Sequence, residues 1–255
     1  YNHLQQGGTA IINADDAFAD VMRVKAKHYK QLSFSQQEGA AKRQIDVIAT
    51  GHKANSDGCY RFILNYAGES CEVTLPLAGR HQVSNALAAA SVCIALGLTL
   101  KEIAEGLSKL IPVKGRMQPT QLGRVRLIDD SYNANPVSVG AAIAWLKEIS
   151  ENRCLVLGDL GELGDNAPLL HAELGQLAKQ QGIDALFCTG TLTQHTSQAF
   201  GAEHHDSVAT LVEKLIKHIN QLPGQVTVLV KGSRSAAMER VVDGLTVAFG
   251  RGELV

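Results

Sequence analysis

The sequence predicts an α/β protein in two domains: a mixed α and β part over 1–112, then an open, doubly wound, mostly parallel sheet over 113–255. Three observations predict it. From Gly123 onward, short runs that are apolar throughout alternate with amphipathic helical stretches, the pattern of a parallel sheet covered on both faces. Before that point the strands are short, separated by Asn/Asp/Gly turns, and lead into an Ala-rich helix. Between the two lies Ile111–Pro119, which places two prolines around a central Gly115 and reads as the interdomain joint. A length of 255 residues suits two domains at about 150 residues each.

In chain order, Thr9–Asn13 reads as a short apolar strand and Asn13-Ala14-Asp15-Asp16 as a helix start. Gln44–Thr50, Cys59–Tyr66 and Ser70–Pro76 read as strands of an antiparallel meander, with turns at Asn55-Ser56-Asp57-Gly58 and Ala67-Gly68-Glu69. Gln82–Leu96 is small, apolar and helical, and stops at Gly97. Thr99–Leu110 follows, with Thr99 as N-cap and Glu102 three residues on, a capping box. In the second domain, strands at Val125–Asp129, Cys154–Gly158, Ala185–Thr189 and Val226–Val230 alternate with helices at Val137–Ser150, Pro168–Gln181, Val208–Gln221 and Ser235–Phe249. Functional sites are expected at the carboxyl ends of those strands.

Composition excludes several classes. The 24 Lys+Arg and 25 Asp+Glu leave a net charge of −1, against a nucleic-acid partner or an anionic membrane surface. The longest small apolar run, Ala86–Leu98, falls short of the roughly 18 residues of a membrane span. Five cysteines, widely spaced and without a Cys-x-x-Cys pair, read as free thiols in a reducing compartment, although Cys59 and Cys71 could face each other across a hairpin. Tyr1–Asp20 lacks the basic start and apolar block of a secretory signal, so the expected location is cytoplasmic. A start at Tyr1, running directly into a strand, reads as the middle of a domain and hence as a fragment.

Four polar clusters fall where function is expected. Asp129–Pro136 packs two acids, two Asn, a Ser and a Tyr into eight residues, more than an N-cap requires. Gly158–Gly164 has G-x-x-G-x-x-G spacing and carries acids where a pyrophosphate needs bare amides, which disfavours a dinucleotide. Lys231-Gly232-Ser233-Arg234-Ser235 offers amides at a helix start and two cations, either an anion site or a plain strand-to-helix turn. Gly79–Asn85 precedes the Ala-rich helix, where Ser84 or Asn85 could be a cap or could bond a base edge. Arg116, in the joint, either bridges domains or clamps a phosphate. His204-His205-Asp206 has no third ligand at a workable spacing, so no metal site is expected. No G-x-x-x-x-G-K-[ST] occurs.

Taken together, Gly79-Arg80-His81-Gln82-Val83-Ser84-Asn85-Ala86-Leu87-Ala88, Lys114-Gly115-Arg116-Met117, Asp129–Pro136 and Val230–Ala237 resemble, in that order, the Mur ligase family. Asp130–Pro136 with Leu157–Gly164 resembles its branch that joins D-Ala-D-Ala to UDP-N-acetylmuramoyl-tripeptide, apart from Leu160, where Met is expected. The resemblance implies the end of a central ATPase domain followed by a Rossmann-like C-terminal domain. It also implies an ATP- and Mg²⁺-dependent amide synthesis through an acyl phosphate. Carried over by position, His81 and Asn85 contact adenine, Arg116 reaches the terminal phosphate as the catalytic cation, and Asp130 holds the ribose hydroxyls. Asn133 and Asn135 shape the same nucleotide edge, and Ser233 with Arg234 receives the D-Ala-D-Ala carboxylate.

Against the family pattern, the first domain and the front half of the central one are missing, and with them the P-loop, the Mg²⁺ ligands and the carbamylated lysine. Two readings follow. One is a fragment, inactive alone, of a monomeric cytoplasmic ligase for peptidoglycan precursors; the other is a complete non-catalytic α/β binding module. The Tyr1 start favours the first.

Overall fold

The computed structural model describes residues 3–37, 39–40, 44–55, 58–149 and 152–250. Tyr1, Ser56 and Asp57 of the expected turn, and Ser150 at the expected helix end lie outside them. The chain divides into two compact units, Tyr1–Ile111 and Pro112–Val255.

The first unit contains β1 (Thr9–Asn13), α1 (Ala19–Lys25), β2 (Lys30–Ser35), β3 (Val47–Ala54), β4 (Cys59–Tyr66), β5 (Glu69–Ala78), α2 (His81–Ala95) and α3 (Leu100–Ser108). Its sheet has the order β1-β2-β3-β4-β5, parallel from β1 to β3 and antiparallel from β3 to β5. Alternation along β4 and β5 sends Phe62, Leu64, Val73 and Leu75 inward, where they meet Val83 and Leu87 of α2 and Ile103 and Leu107 of α3. The Thr99–Glu102 capping box starts α3 as the sequence predicts. The helix after β1 begins at Ala19, because Asn13 and Asp16 spend their side chains on the amides of Asp15 and Phe18 and make a turn first. Cys59 sits opposite Ala78, and Cys71 opposite Leu64, so the two do not face each other. All five cysteines are free thiols.

The second unit runs β6 (Gln118–Leu122), β7 (Val125–Asp130), α4 (Pro136–Lys147), β8 (Arg153–Gly158), α5 (Ala167–Gln180), β9 (Ala185–Thr189), α6 (Thr193–Phe200), β10 (His204–His205), α7 (Val208–Gln221), β11 (Val226–Lys231) and α8 (Glu239–Phe249). Strand order is β10-β9-β8-β11-β7-β6, parallel except for β6, which pairs antiparallel with β7 at the edge. The joint is therefore shorter than expected, since Gln118 and Pro119 already belong to β6. Every residue of β11 is buried, and only the first of β8 and β9 is not. One face of β7, β8 and β11 (Val125, Leu127, Val156, Val228) packs on Leu211, Leu215, Val241 and Leu245 of α7 and α8. The carboxyl ends of β7, β8, β9 and β11 lie side by side and carry the polar clusters.

Candidate functional site

β7 and β11 are parallel neighbours, and their register places Asp130 directly opposite Lys231 at the shared carboxyl end. Lys231 Nζ donates to Asp130 Oδ2 at 2.6 Å and to the Asn133 carbonyl at 3.0 Å. The Met117 amide donates to Asp130 Oδ1 at 3.2 Å. Both partners are enclosed, with side chains 3% (Lys231) and 12% (Asp130) exposed. Burial pushes the Asp130 carboxyl above the usual carboxylate range, against the opposing pull of Lys231 and the Met117 amide. Asp129 serves the backbone instead. Its Oδ1 accepts from the Ser131 amide and hydroxyl, at 3.1 and 2.6 Å, and closes the turn out of β7.

Arg116 reaches this cluster by a tight backbone path. Gly115 (φ +76°) and Met117 (φ +47°) are both left-handed, and the Gly115 carbonyl accepts the Tyr132 amide at 3.0 Å. A Cβ at Gly115 would lie 3.0 Å from the Tyr132 nitrogen, so the approach needs glycine. The Arg116 guanidinium carbon rests 4.4 Å above the centre of the Tyr132 ring. Among the described residues no hydrogen-bond acceptor holds that guanidinium, leaving an exposed cation with its donors available to a ligand anion.

The two asparagines are committed locally. Asn133 Oδ1 accepts the Ala134 amide at 2.9 Å. Asn135 caps α4: its Oδ1 accepts the Ser138 amide at 2.8 Å, Ser138 Oγ accepts the Asn135 amide at 3.0 Å, and Pro136 opens the helix. Asn135 thus has the capping function that Asn before a helix commonly has.

The Lys231–Ser235 turn, which the sequence leaves open between an anion site and a plain strand-to-helix turn, has both its cations engaged within the chain. Lys231 is turned to Asp130, and Arg234 pairs with Glu239 at 2.6 Å. A short 3₁₀ turn, Arg234–Ala236, and a left-handed Ala237 intervene before α8, which begins at Glu239 rather than Ser235. Ser233 Oγ donates to the Asp159 carbonyl at 2.6 Å and ties the end of β11 to that of β8. Asp159 accepts the amides of Thr191, Leu192 and Thr193 at 2.8–2.9 Å, so a carboxylate of the chain itself occupies the α6 amides that a bound phosphate would need. Beside it a cavity of about 410 Å³ is lined by Asp159, Thr191, Asp206, Ser207, Ser235 and Arg240.

His81 and Asn85 belong to the first unit, at the first and fifth positions of α2, one turn apart on one face. Neither Ser84 nor Asn85 is a cap, since Arg80 holds the N-cap position. Asn85 is exposed, its amide bonded to Gln82 Oε1 at 3.1 Å. His204 and His205 form β10, and no group of three or more His, Cys, Asp or Glu able to hold a metal occurs among the described residues. Sequence reasoning missed Lys231 as the partner of Asp130. A signal was present, because a lysine closing a strand that is apolar except for Thr227 needs a counter-charge.

Two family profiles match the chain: "Mur ligase middle domain" over residues 1–93 and "Mur ligase, glutamate ligase domain" over residues 115–234. The UDP-N-acetylmuramoyl-tripeptide–D-alanyl-D-alanine ligase of Escherichia coli is 38% identical over 246 residues, 96% of this chain and 53% of that protein. The Haemophilus influenzae ligase of the same name is 35% identical, over 96% of this chain and 52% of its own length. Among solved structures, MurF from Acinetobacter baumannii superposes with a TM-score of 0.89 at 32% identity, covering 97% of this chain and 53% of that one. MurF from Thermotoga maritima, solved with ADP, shares the fold, with a TM-score of 0.79 at 21% identity over 97% of this chain and 55% of that one. This chain thus spans about half the length of the curated relatives it matches. With both units matched in order, and with the matched segments including the Asp130 and Arg116 positions, the chain belongs to the Mur ligase family, with a middle and a C-terminal domain.

Proposed function

We propose that the chain supplies part of the nucleotide surface and the amine-binding surface of a monomeric, cytoplasmic, ATP-dependent ligase that joins D-Ala-D-Ala to UDP-N-acetylmuramoyl-tripeptide. The observation that carries this reading is the 38% identity with the E. coli ligase of that activity across 96% of the chain. In the reaction, a tripeptide carboxylate oxygen attacks the γ-phosphorus of ATP, releasing ADP and forming an acyl phosphate. The D-Ala-D-Ala amine then attacks the acyl carbon, and the tetrahedral intermediate expels phosphate as the amide forms. Charge gathers on phosphoryl oxygens in the first step and on the carbonyl oxygen in the second, and a fixed cation lowers both barriers.

Arg116 suits the phosphoryl role: it is exposed, its donors are available, and the Tyr132 ring restricts its arc. Asp130 suits the ribose role because each carboxylate oxygen has one protein donor and a second lone pair for a hydroxyl. His81 and Asn85 carry the adenine assignment by position in the family motif. Ser233 and Arg234 carry the carboxylate assignment by position in the family motif, and Glu239 competes for Arg234. Mg²⁺ usually takes one or two carboxylates together with substrate phosphates, and the described residues hold no group of three or more side chains that could hold a metal by themselves. Among the described residues no helix is long and apolar enough to cross a membrane.

The test is calorimetric titration of the chain with ADP and with D-Ala-D-Ala, beside phosphate release with ATP and both acceptor substrates. Saturable binding of ADP and of D-Ala-D-Ala is expected, without turnover by the chain alone. Binding of neither would remove the ligase reading and leave a module with another ligand.

A further inference from the structure

We propose that Lys231 is a positioning residue for the nucleotide, holding Asp130 and the loop after β7 in the arrangement that receives the ribose. The inference rests on the nucleotide reading of Asp130 given above. One ammonium joins two points of the chain, the end of β7 through Asp130 Oδ2 at 2.6 Å and the following loop through the Asn133 carbonyl at 3.0 Å. The Met117 amide fixes the other carboxylate oxygen, and Met117 follows directly on Arg116. Lys231 therefore governs one corner shared by the acid and, through the Gly115–Met117 path, the exposed cation.

Stability does not account for this pair. Replacing a buried ion pair by well-packed apolar residues is often neutral or stabilising. The other β11 positions are Val226, Thr227, Val228, Leu229 and Val230, a strand that needs no ammonium to pack. What the ammonium adds is direction and charge: it favours the ionised carboxylate against the effect of burial, and it aims that acceptor. The charged groups acting on Asp130 are Lys231 from β11 and Asp129 from its own strand, and Asp129 opposes ionisation as burial does. Without Lys231, a protonated Asp130 has one acceptor site fewer and an O–H to place.

Two measurements on the 255-residue chain test the role: carboxyl-carbon NMR titration of Asp130 without ligand, and calorimetric titration with ADP across pH. Lys231→Met is expected to raise the Asp130 midpoint by about one pH unit or more. It should weaken ADP binding by about tenfold or more on the acid side of that raised midpoint, a loss that shrinks on its alkaline side as the carboxyl ionises. Where Lys231→Met does not give a native amide spectrum, Lys231→Gln is read in the same way, because its neutral amide can still donate. An unmoved midpoint, or a loss of ADP affinity that is flat across pH, overturns the proposal. ADP binding that survives both substitutions at every pH overturns the positioning role alone. Failure of the unsubstituted chain to bind ADP overturns the nucleotide reading and the proposal with it.

Discussion

Replacing Asp130 by alanine removes more than a hydrogen-bond acceptor, because it leaves the Lys231 ammonium buried without its counter-charge. Breaking one partner of such a pair costs about 3–5 kcal/mol, so Asp130→Ala is expected to lower the urea midpoint sharply. Asp130→Asn keeps the shape and one acceptor. In the full-length ligase it should raise the Michaelis constant for ATP with a smaller change in turnover, and a normal constant would sink the ribose assignment. Arg116→Ala is the opposite case. Its side chain is exposed and loses only the Tyr132 stacking, worth about 0.5–1 kcal/mol. Steady-state kinetics should show turnover falling more than binding of the UDP-sugar peptide weakens, whereas unchanged turnover would remove Arg116 from the phosphate role. Asp130 draws attention in the sequence as part of a local polar cluster, and Arg116 as a cation in the joint. Lys231 reads there as part of an anion site or of a plain strand-to-helix turn, because its partner lies 101 residues away and a one-dimensional reading cannot see strand register.

The elements are legible to the degree that their stabilisation is local. β7, β8, β9 and β11 announce themselves as apolar runs because both faces of the sheet are covered. β6 (QPTQL) carries a proline and two glutamines, and pairing with β7, not an apolar pattern, makes it a strand. α6 has little apolar character, and its first amides are satisfied by Asp159 from the end of β8, a contact across 32–34 residues that no local cap signal encodes. The start of α7 is local and its end is not: Ser207 caps its amino end, whereas Arg124 from the other end of the unit donates to the carbonyls of Ile219, Leu222 and Gly224. At α4 the sequence leaves both readings of one residue open, and the geometry places Asn135 in the cap. Asn135→Ala is accordingly expected to cost about 1 kcal/mol in urea denaturation, and to leave ADP affinity close to that of the unsubstituted chain. A tenfold loss of affinity at unchanged stability would return Asn135 to the nucleotide edge.

At the scale of the whole molecule, residues 112–255 hold what independent folding needs. Their sheet has six strands, β11 and β8 are buried along nearly their whole length, and the core is drawn from β7, β8, β11, α7 and α8 of the same unit. A length near 150 residues buries about 68–70% of the unfolded surface, enough for a stable single core. Produced alone, 112–255 is expected to unfold in one cooperative urea transition, and a non-cooperative melt would refute this. The same piece should lose stability in acid by an identifiable route. Arg153 Nε and the Arg153 amide both donate to Asp184 Oδ2, at 2.9 and 2.8 Å, joining β8 to the residue before β9. The hydrogen bond from Arg153 holds the Asp184 carboxyl below the usual carboxylate range. Because the folded value lies below the unfolded value of about 3.9, this contribution is complete above the unfolded value and is lost as pH falls through the folded one. The urea midpoint should therefore decline as pH falls below about 4, and Asp184→Asn should decline less steeply over the same interval because its amide cannot titrate. Equal slopes for the two proteins would assign the acid response to other carboxylates and leave the Arg153–Asp184 link as a fixed hydrogen bond with no share in it.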